Sequence, residues 1–274
     1  MITGANTGIG KSTAIGLANL GAQLVFVCRN HEKAEKAIEE VKAKTGIESI
    51  DLMIADLSSQ KEIRKLVEDF KKKYNKLHVL INNAGVNLSK RTLTEDGIET
   101  TFAVNYLAHF MFNHLLLDVL KNSAPSRIVT VASSVQAKSI HFDDLNGDKH
   151  YGQLKAYALS KVAAIMFTYA FAKKIEGTGV TVNCLHPGYV KTNMIRNFRK
   201  FVKYFYHLIG LFMQSPRKGA KTSIYLASSP EVEGVNGKYF RKRKEAESVP
   251  ISYDEEVSKQ LWEVSVKLTK VGND

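Results

Sequence analysis

The chain has 274 residues, which suits one large α/β domain with a sizeable core. Hydrophobic residues at 44% and charged residues at 24% place it among ordinary globular chains and exclude a disordered or fibrous one. Lys and Arg outnumber Asp and Glu by 39 to 27, a net charge of +12. The basic residues are scattered, apart from Lys200 with Lys203, Arg217-Lys218 and the run Arg241-Lys242-Arg243-Lys244. No zinc-ligand spacing or RNA-binding aromatic motif accompanies them, so a solvated basic surface is expected and neither a metal nor a nucleic acid. No apolar run reaches the roughly 18 residues that a membrane span needs, and no secretory signal is present. Cys28 and Cys184 each sit in an apolar strand-like run, as buried, reduced thiols of an intracellular protein do.

Along the chain, Thr3-Gly4-Ala5-Asn6-Thr7-Gly8-Ile9-Gly10 comes first. Glycine turns tightly and lets a backbone approach a ligand. The helix that follows presents unpaired N–H groups and a positive dipole end, which suit a pyrophosphate. Only Met1 and Ile2 precede the turn, so the first strand looks cut short. A longer natural form with more strand and a membrane anchor is left open. So is the choice between an endoplasmic reticulum membrane and a cytoplasmic location. Leu24 to Val27 reads as a strand, His31 to Lys44 as a charged helix, Ile50 to Ile54 as a strand and Gln60 to Lys73 as a helix. Val79 to Ile81 is a short strand, Phe102 to Leu120 a long helix, and Arg127 to Val131 a strand. A polar loop covers Gln136 to Tyr151, Tyr157 to Ile175 is helical, and Val180 to Cys184 is a strand. Continuous apolar strands between helices predict a doubly wound parallel sheet covered on both faces, with ligands at the carboxyl ends of its strands. No linker or repeat divides the chain. The segment from 245 to 274 ends it as an amphipathic helix, from Asp254 to Leu268, with Trp262 on the apolar side.

The glycine spacing is T-G-x-x-x-G-x-G. With Asp56-Leu57 after the third strand, Asn82-Asn83-Ala84-Gly85 after the fourth and Pro187-Gly188 after the sixth, it resembles the short-chain dehydrogenase/reductase family over roughly Met1 to Tyr239. The resemblance implies a Rossmann-type fold. It also implies a cofactor held by Gly4, Asn6, Thr7, Gly8, Ile9, Gly10, Asp56, Leu57, Asn83, Pro187, Gly188, Val190 and Thr192. The second strand ends Cys28-Arg29-Asn30, without the acid that would bind a ribose 2′-OH. Arg29 can instead hold a 2′-phosphate in its charged fork, so NADP is the expected cofactor.

Hydride transfer to a carbonyl needs a proton donor, and a lysine four residues along a helix from a tyrosine helps it ionise. That pattern occurs at Tyr151/Lys155, Tyr157/Lys161 and Tyr169/Lys173. Ser133-Ser134 ends the fifth strand at the ligand-binding edge, and Tyr157-Ala158-Leu159-Ser160-Lys161 carries the small residues typical of the family. Tyr169 lies roughly 18 Å further along the helix, too far to serve the same carbonyl. Tyr151 is followed by Gly152 in the polar loop. The resemblance makes Tyr157 the acid/base, Lys161 its partner and a cofactor ligand, Ser134 the residue that binds the substrate oxygen, and Asn105 the holder of a relay water. His186 and His207 read as structural or solvated residues.

The segment 192–216 is expected to shape substrate choice. Its aromatic stretch from Phe201 to Met213 is suited to covering an apolar substrate or touching a membrane, with Arg196, Arg199 and Lys200 toward headgroups. Cys28-Arg29-Asn30, His141-Phe142-Asp143-Asp144-Leu145 and Gly237-Lys238-Tyr239-Phe240 resemble the retinol dehydrogenase-like branch of the family. That branch implies an NADP-dependent interconversion of an apolar alcohol with its aldehyde or ketone, a retinoid or lipid aldehyde first. A steroid or other ketone reductase, and a catalytically weak NADP-binding interaction protein, are the alternatives. A homodimer is left open.

Overall fold

The apolar runs β2 (Leu24–Cys28), β4 (Val79–Asn82), β5 (Ser126–Val131) and β6 (Val180–His186) are largely buried on both faces, and with β3 (Ile50–Ile54), a half-buried edge strand, they are strands of one sheet. The computed structural model describes residues 1–191 and 213–272. The strand order is β3-β2-β1-β4-β5-β6-β7-β8, with β1 at Ile2–Thr3, β7 at Tyr239–Arg241 and β8 at Lys244–Glu245. Every pairing is parallel except β7 with β8. The order reverses between β1 and β4, which opens the crevice where such sheets bind ligands.

β1 has two residues and still holds the centre of the sheet. Ile2 stands opposite Phe26 on one side and Ile81 on the other. The ladder extends to Met1, whose amino group donates to the Val79 carbonyl at 2.9 Å and whose carbonyl accepts from Ile81 N–H at 2.9 Å.

Helices cover both faces. On one face α1 (Gly8–Ala18), α2 (His31–Thr45) and α8 (Pro216–Ser228) lie over a layer that includes Leu17, Phe26, Ile81, Leu185, Leu226 and Phe240. On the other, α3 (Gln60–Lys73), α7 (Gln153–Lys174) and the helices between them enclose Phe70, Phe102, Tyr106, Phe110 and Phe171. The closing helix α9 (Glu255–Thr269) is N-capped by Asp254, which accepts from Val257 N–H. Its Trp262 stacks into the cluster of Phe110, Phe167 and Phe171.

Besides one- and two-residue differences at the ends of β2, β4, β5, β6 and α2, four features differ from what the sequence predicts. The helix expected from Phe102 to Leu120 is divided into α4 (Thr100–Phe102), a π-helical turn (Ala103–Leu107), α5 (Ala108–Leu115) and α6 (Leu117–Lys121). A π turn takes in one extra residue, and Asn105 lies at its middle with its side chain drawn to neighbouring segments. α7 begins at Gln153, four residues before Tyr157, because Gly152 is extended and ends the preceding loop. The C-terminal helix is Glu255–Thr269, and the residues before it form β8 and a 3-10 turn at Pro250–Tyr253. The last two strands escaped the sequence reading because β7 and β8 are three and two residues long. Of the substrate-shaping segment, Thr192 to Phe212 lies outside the described residues, together with Arg196, Arg199, Lys200 and His207.

Burial holds two histidines neutral in this fold. Desolvation and the charge of Arg241 push His186 down to about 4, and desolvation with the charge of Lys161 pushes His109 down to about 3. In the unfolded chain an imidazole titrates near about 6.5. Below that value the unfolded state binds more protons, so stability is lost as pH falls from about 6.5 toward 4. Thermal melts across this range should show the decline. A melting temperature independent of pH across this window would show that neither imidazole is held neutral.

Candidate active site

The glycine turn joins β1 to α1 at the carboxyl edge of the sheet. Gly4 N–H donates to the Val27 carbonyl at 2.8 Å, and the amides of Ala5 and Asn6 point at the Cys28 sulfur. Gly4 has φ +65, and a Cβ there would sit 3.0 Å from the Ala84 backbone. A Cβ on Gly10 would lie 2.4 Å from the Gly4 carbonyl and 2.5 Å from the Asn83 amide. Both positions therefore exclude a side chain. Thr7 caps α1 without a side-chain hydrogen bond, and the first turn, with Gly8, Ile9 and Gly10, holds no acid. The helix end thus keeps its N–H donors and positive dipole for an anion. These features fit the diphosphate of a dinucleotide.

Thr3 binds this turn to the loop after β4. Its hydroxyl accepts from Asn83 N–H and Ala84 N–H, each at 2.9 Å. The Asn83 side chain donates to the Thr3 carbonyl at 2.8 Å and lies 3.3 Å from that of Gly4. Asn83, expected as a cofactor residue, is thus the clasp that shapes the turn.

Arg29 follows β2 directly and is 73% exposed; it meets Asp56, just past β3, at 3.4 Å. An exposed pair at this distance is worth little, so the guanidinium is free to turn toward a phosphate. Asp56 also accepts from the Ser58 amide and hydroxyl; burial opposes its charge, but these bonds and Arg29 hold its carboxyl below the usual range. Leu57 beside it is buried.

Four segments meet on the other side of the crevice. Lys161 on α7 is 2% exposed, and its ammonium donates to the Val131 carbonyl at the end of β5 at 2.9 Å. Burial pushes Lys161 down to about 8. The same nitrogen lies 5.6 Å from the centre of the Tyr157 ring. The loop after β5 is drawn to this helix by Ala137 N–H donating to the Ala158 carbonyl at 3.2 Å. Ser134 lies in that loop, with its hydroxyl buried and without a partner among the described residues. Asn105 accepts from Val86 N–H at 2.7 Å and donates to the Val86 carbonyl at 2.9 Å and to Ser160 Oγ at 3.0 Å. Ser160 Oγ in turn donates to the Tyr157 carbonyl at 2.8 Å. Asn105 therefore joins the β4 loop to the tyrosine helix through the π turn, and Ser160 is the link that the sequence reading did not assign.

The decoy pairs do other work. Tyr151 precedes the start of α7 and donates to the Leu88 carbonyl at 2.7 Å. Tyr169 bonds Ser248 and stacks on Tyr253, while Lys173 pairs with Glu255 at 2.7 Å. Pro187, Gly188 and Val190 follow β6 at the same edge, and Val190 bridges to Gln214 just before α8.

His186, read from sequence as structural, has a defined contact with the site. Its Nδ1 accepts the Ser134 backbone N–H at 3.1 Å. The imidazole proton then sits on Nε2, which is buried without a partner among the described residues. Burial and the charge of Arg241 depress its basicity, which keeps Nδ1 an acceptor. Ser133 and Ser134, expected to end the fifth strand, lie two and three residues past β5, in the loop that His186 meets from the end of β6.

Residues 1–203 match the short chain dehydrogenase family profile. Over 97% of its length the chain is 43% identical to retinol dehydrogenase 14 from Homo sapiens, 84% of which is covered. An uncharacterized protein from Mycobacterium paratuberculosis superposes with a TM-score of 0.79 over 100% of this chain and 93% of its own, at 26% identity. A Beutenbergia cavernae protein of the NAD(P)-dependent gluconate 5-dehydrogenase type, solved with bound NADP, superposes with a TM-score of 0.71 over 88% of this chain and 93% of its own, at 25% identity. With a dinucleotide cradle and a Tyr-Lys pair on one edge of a doubly wound sheet, this chain belongs to the short-chain dehydrogenase family, in its retinol dehydrogenase-like branch.

Proposed function

We propose that this oxidoreductase interconverts an apolar alcohol and its aldehyde, a retinoid or lipid aldehyde, with NADP(H). The observation that carries the reading is the convergence of a buried lysine, a tyrosine and an unpartnered serine hydroxyl at the carboxyl ends of β5 and α7's first turns. When bound, NADPH supplies the hydride. The Ser134 hydroxyl donates to the substrate carbonyl oxygen, satisfying its own buried group. The Tyr157 hydroxyl delivers the proton to that oxygen, and the Lys161 ammonium above the ring stabilises the negative charge left on the phenolic oxygen. In the oxidative direction the same tyrosine removes the alcohol proton. Gly4, Gly10 and the α1 end would take the diphosphate, and Arg29 the 2′-phosphate. Asp56 and Leu57 would border the adenine, and Pro187, Gly188, Val190 and Thr192 the nicotinamide end. The relative named retinol dehydrogenase 14 and the NADP-bound neighbour support this choice of substrate and cofactor.

NADPH oxidation measured against retinal, medium-chain aldehydes and keto-steroids tests the substrate class. The aldehydes should be turned over. Turnover of keto-steroids alone would replace the reading with ketone reduction, and tight NADPH binding without turnover would leave a binding protein.

Replacing Arg29 by Asp should weaken NADPH by about 10- to 100-fold, the loss of a charged hydrogen-bonded pair, with little effect on NADH. Equal affinities for both cofactors before and after the change would remove the NADP assignment.

His186 positions Ser134 through its backbone. His186→Ala should lower kcat by about tenfold, as expected for an unpaired buried N–H, without changing NADPH affinity. His186→Asn places an acceptor near the same point and should recover most of the rate. Equal damage from both variants, with NADPH binding lost, would show a merely structural histidine.

A further inference from the structure

The hairpin between β7 and β8 turns on two residues, Lys242 and Arg243, at φ +52 and +65. Two-residue hairpins of this type take Asn-Gly or Asp-Gly by preference, because both central residues must be left-handed. Here both positions carry long cationic side chains. Arg241 and Lys244 flank them as the facing pair of the ladder, so four consecutive cations are displayed, and all four are exposed. None of the four forms an ion pair among the described residues. The nearby acid Glu245 is engaged by Lys238 at 2.8 Å, and Glu247 is the other exposed acid on this stretch. Arg241 stands opposite His186, which places the hairpin at the carboxyl edge of the sheet, where the active-site crevice opens. Two large apolar side chains left in solvent, Tyr189 at 62% and Leu154 at 61% exposure, belong to segments at that same edge. Exposed Arg217 and Lys218 open α8 there as well.

We propose that the Arg241–Lys244 hairpin docks the mouth of the active site onto an anionic lipid surface. Fixed unpaired cations beside exposed apolar side chains match a phospholipid interface, where basic residues meet headgroups and aromatic rings lie at the boundary. The choice of lipid over another polyanion rests on the apolar-substrate reading above, since such a substrate is concentrated in the bilayer. Docking at the crevice edge would let it pass from lipid to site without crossing water. A charged edge strand also deters sheet-to-sheet pairing, and that simpler role has a different consequence under mutation.

The test is co-sedimentation with phosphatidylserine–phosphatidylcholine vesicles against pure phosphatidylcholine vesicles at physiological ionic strength. The full chain should bind only the anionic vesicles and release as salt is raised. The double variant Lys242→Asn, Arg243→Gly supplies the residues that the turn prefers. It should fold with unchanged or higher thermal stability and lose about 30-fold in vesicle partitioning, the effect of two cations near a charged surface. A second pair, Arg241→Gln with Lys244→Gln, removes as much charge without altering the turn and should lose as much. Turnover of a water-soluble aldehyde should be unaffected in the Lys242→Asn, Arg243→Gly variant, which separates docking from the catalytic reading. Unchanged vesicle binding in both variants, whether or not they aggregate, would overturn the proposal. So would absence of binding by the unmodified chain, or retention of RNA or DNA at the same ionic strength in place of vesicles.

Discussion

A lysine ammonium buried with no carboxylate partner among the described residues is the constraint around which the candidate site is arranged. Desolvation disfavours its charged form, and the one hydrogen bond identified for it is to the Val131 carbonyl. A fold optimised for stability alone would place an apolar side chain there. Lys161 is kept by packing that fixes both its ends: α7 supplies the residue and β5 supplies the carbonyl. Because β5 pairs with β4 and β6, the position of that carbonyl is set by the whole parallel sheet. Tyr157, one helical turn earlier, then has its ring held beside the ammonium. The energetic cost of the buried cation is thus linked to the chemistry it supports.

The same logic runs through the smaller polar contacts. Thr3 ties the glycine turn to the loop after β4, and Asn105 ties that loop to α7 through Ser160. His186 ties the end of β6 to Ser134 in the loop after β5. Each bond crosses between segments far apart in sequence, and each satisfies a backbone or side-chain group that burial would otherwise leave unpaired. The glycine turn and the Tyr157/Lys161 helix are therefore one connected framework. A change at Asn83 or Asn105 should be felt on both sides of the crevice.

Much of this was legible from residue pattern. The apolar runs expected at 24–27, 50–54, 79–81, 127–131 and 180–184 are all strands of one parallel sheet, four of them one or two residues longer than their apolar run. The glycine spacing and the Tyr157/Lys161 pair marked the edge where the site lies. The π turn was not legible, because Ala103 to Leu107 reads as ordinary apolar helix and its register depends on tertiary bonds made by Asn105. The contact of His186 was not legible for a similar reason: its partner is a backbone N–H in the loop after β5, which no local spacing reveals. Asn83 carried a family role by position, whereas its amide is occupied in holding the turn. The Lys242-Arg243 turn defied prediction because these residues are poor at positive φ, so local propensity argued against the hairpin that the sheet edge imposes.

The central claim is that Tyr157, set by Lys161 and Ser134, passes the proton while the cofactor passes hydride to an apolar aldehyde. The most direct measurement follows NADPH deuterated at the transferable nicotinamide position, incubated with retinal and with the unmodified chain or its Tyr157→Phe variant. The account predicts deuterium at the carbinol carbon of the product with the unmodified chain. It predicts a rate lower by about 10²- to 10⁴-fold in the variant, the usual contribution of a general acid, with NADPH binding retained. Label transfer at an undiminished rate in the Tyr157→Phe variant would contradict it.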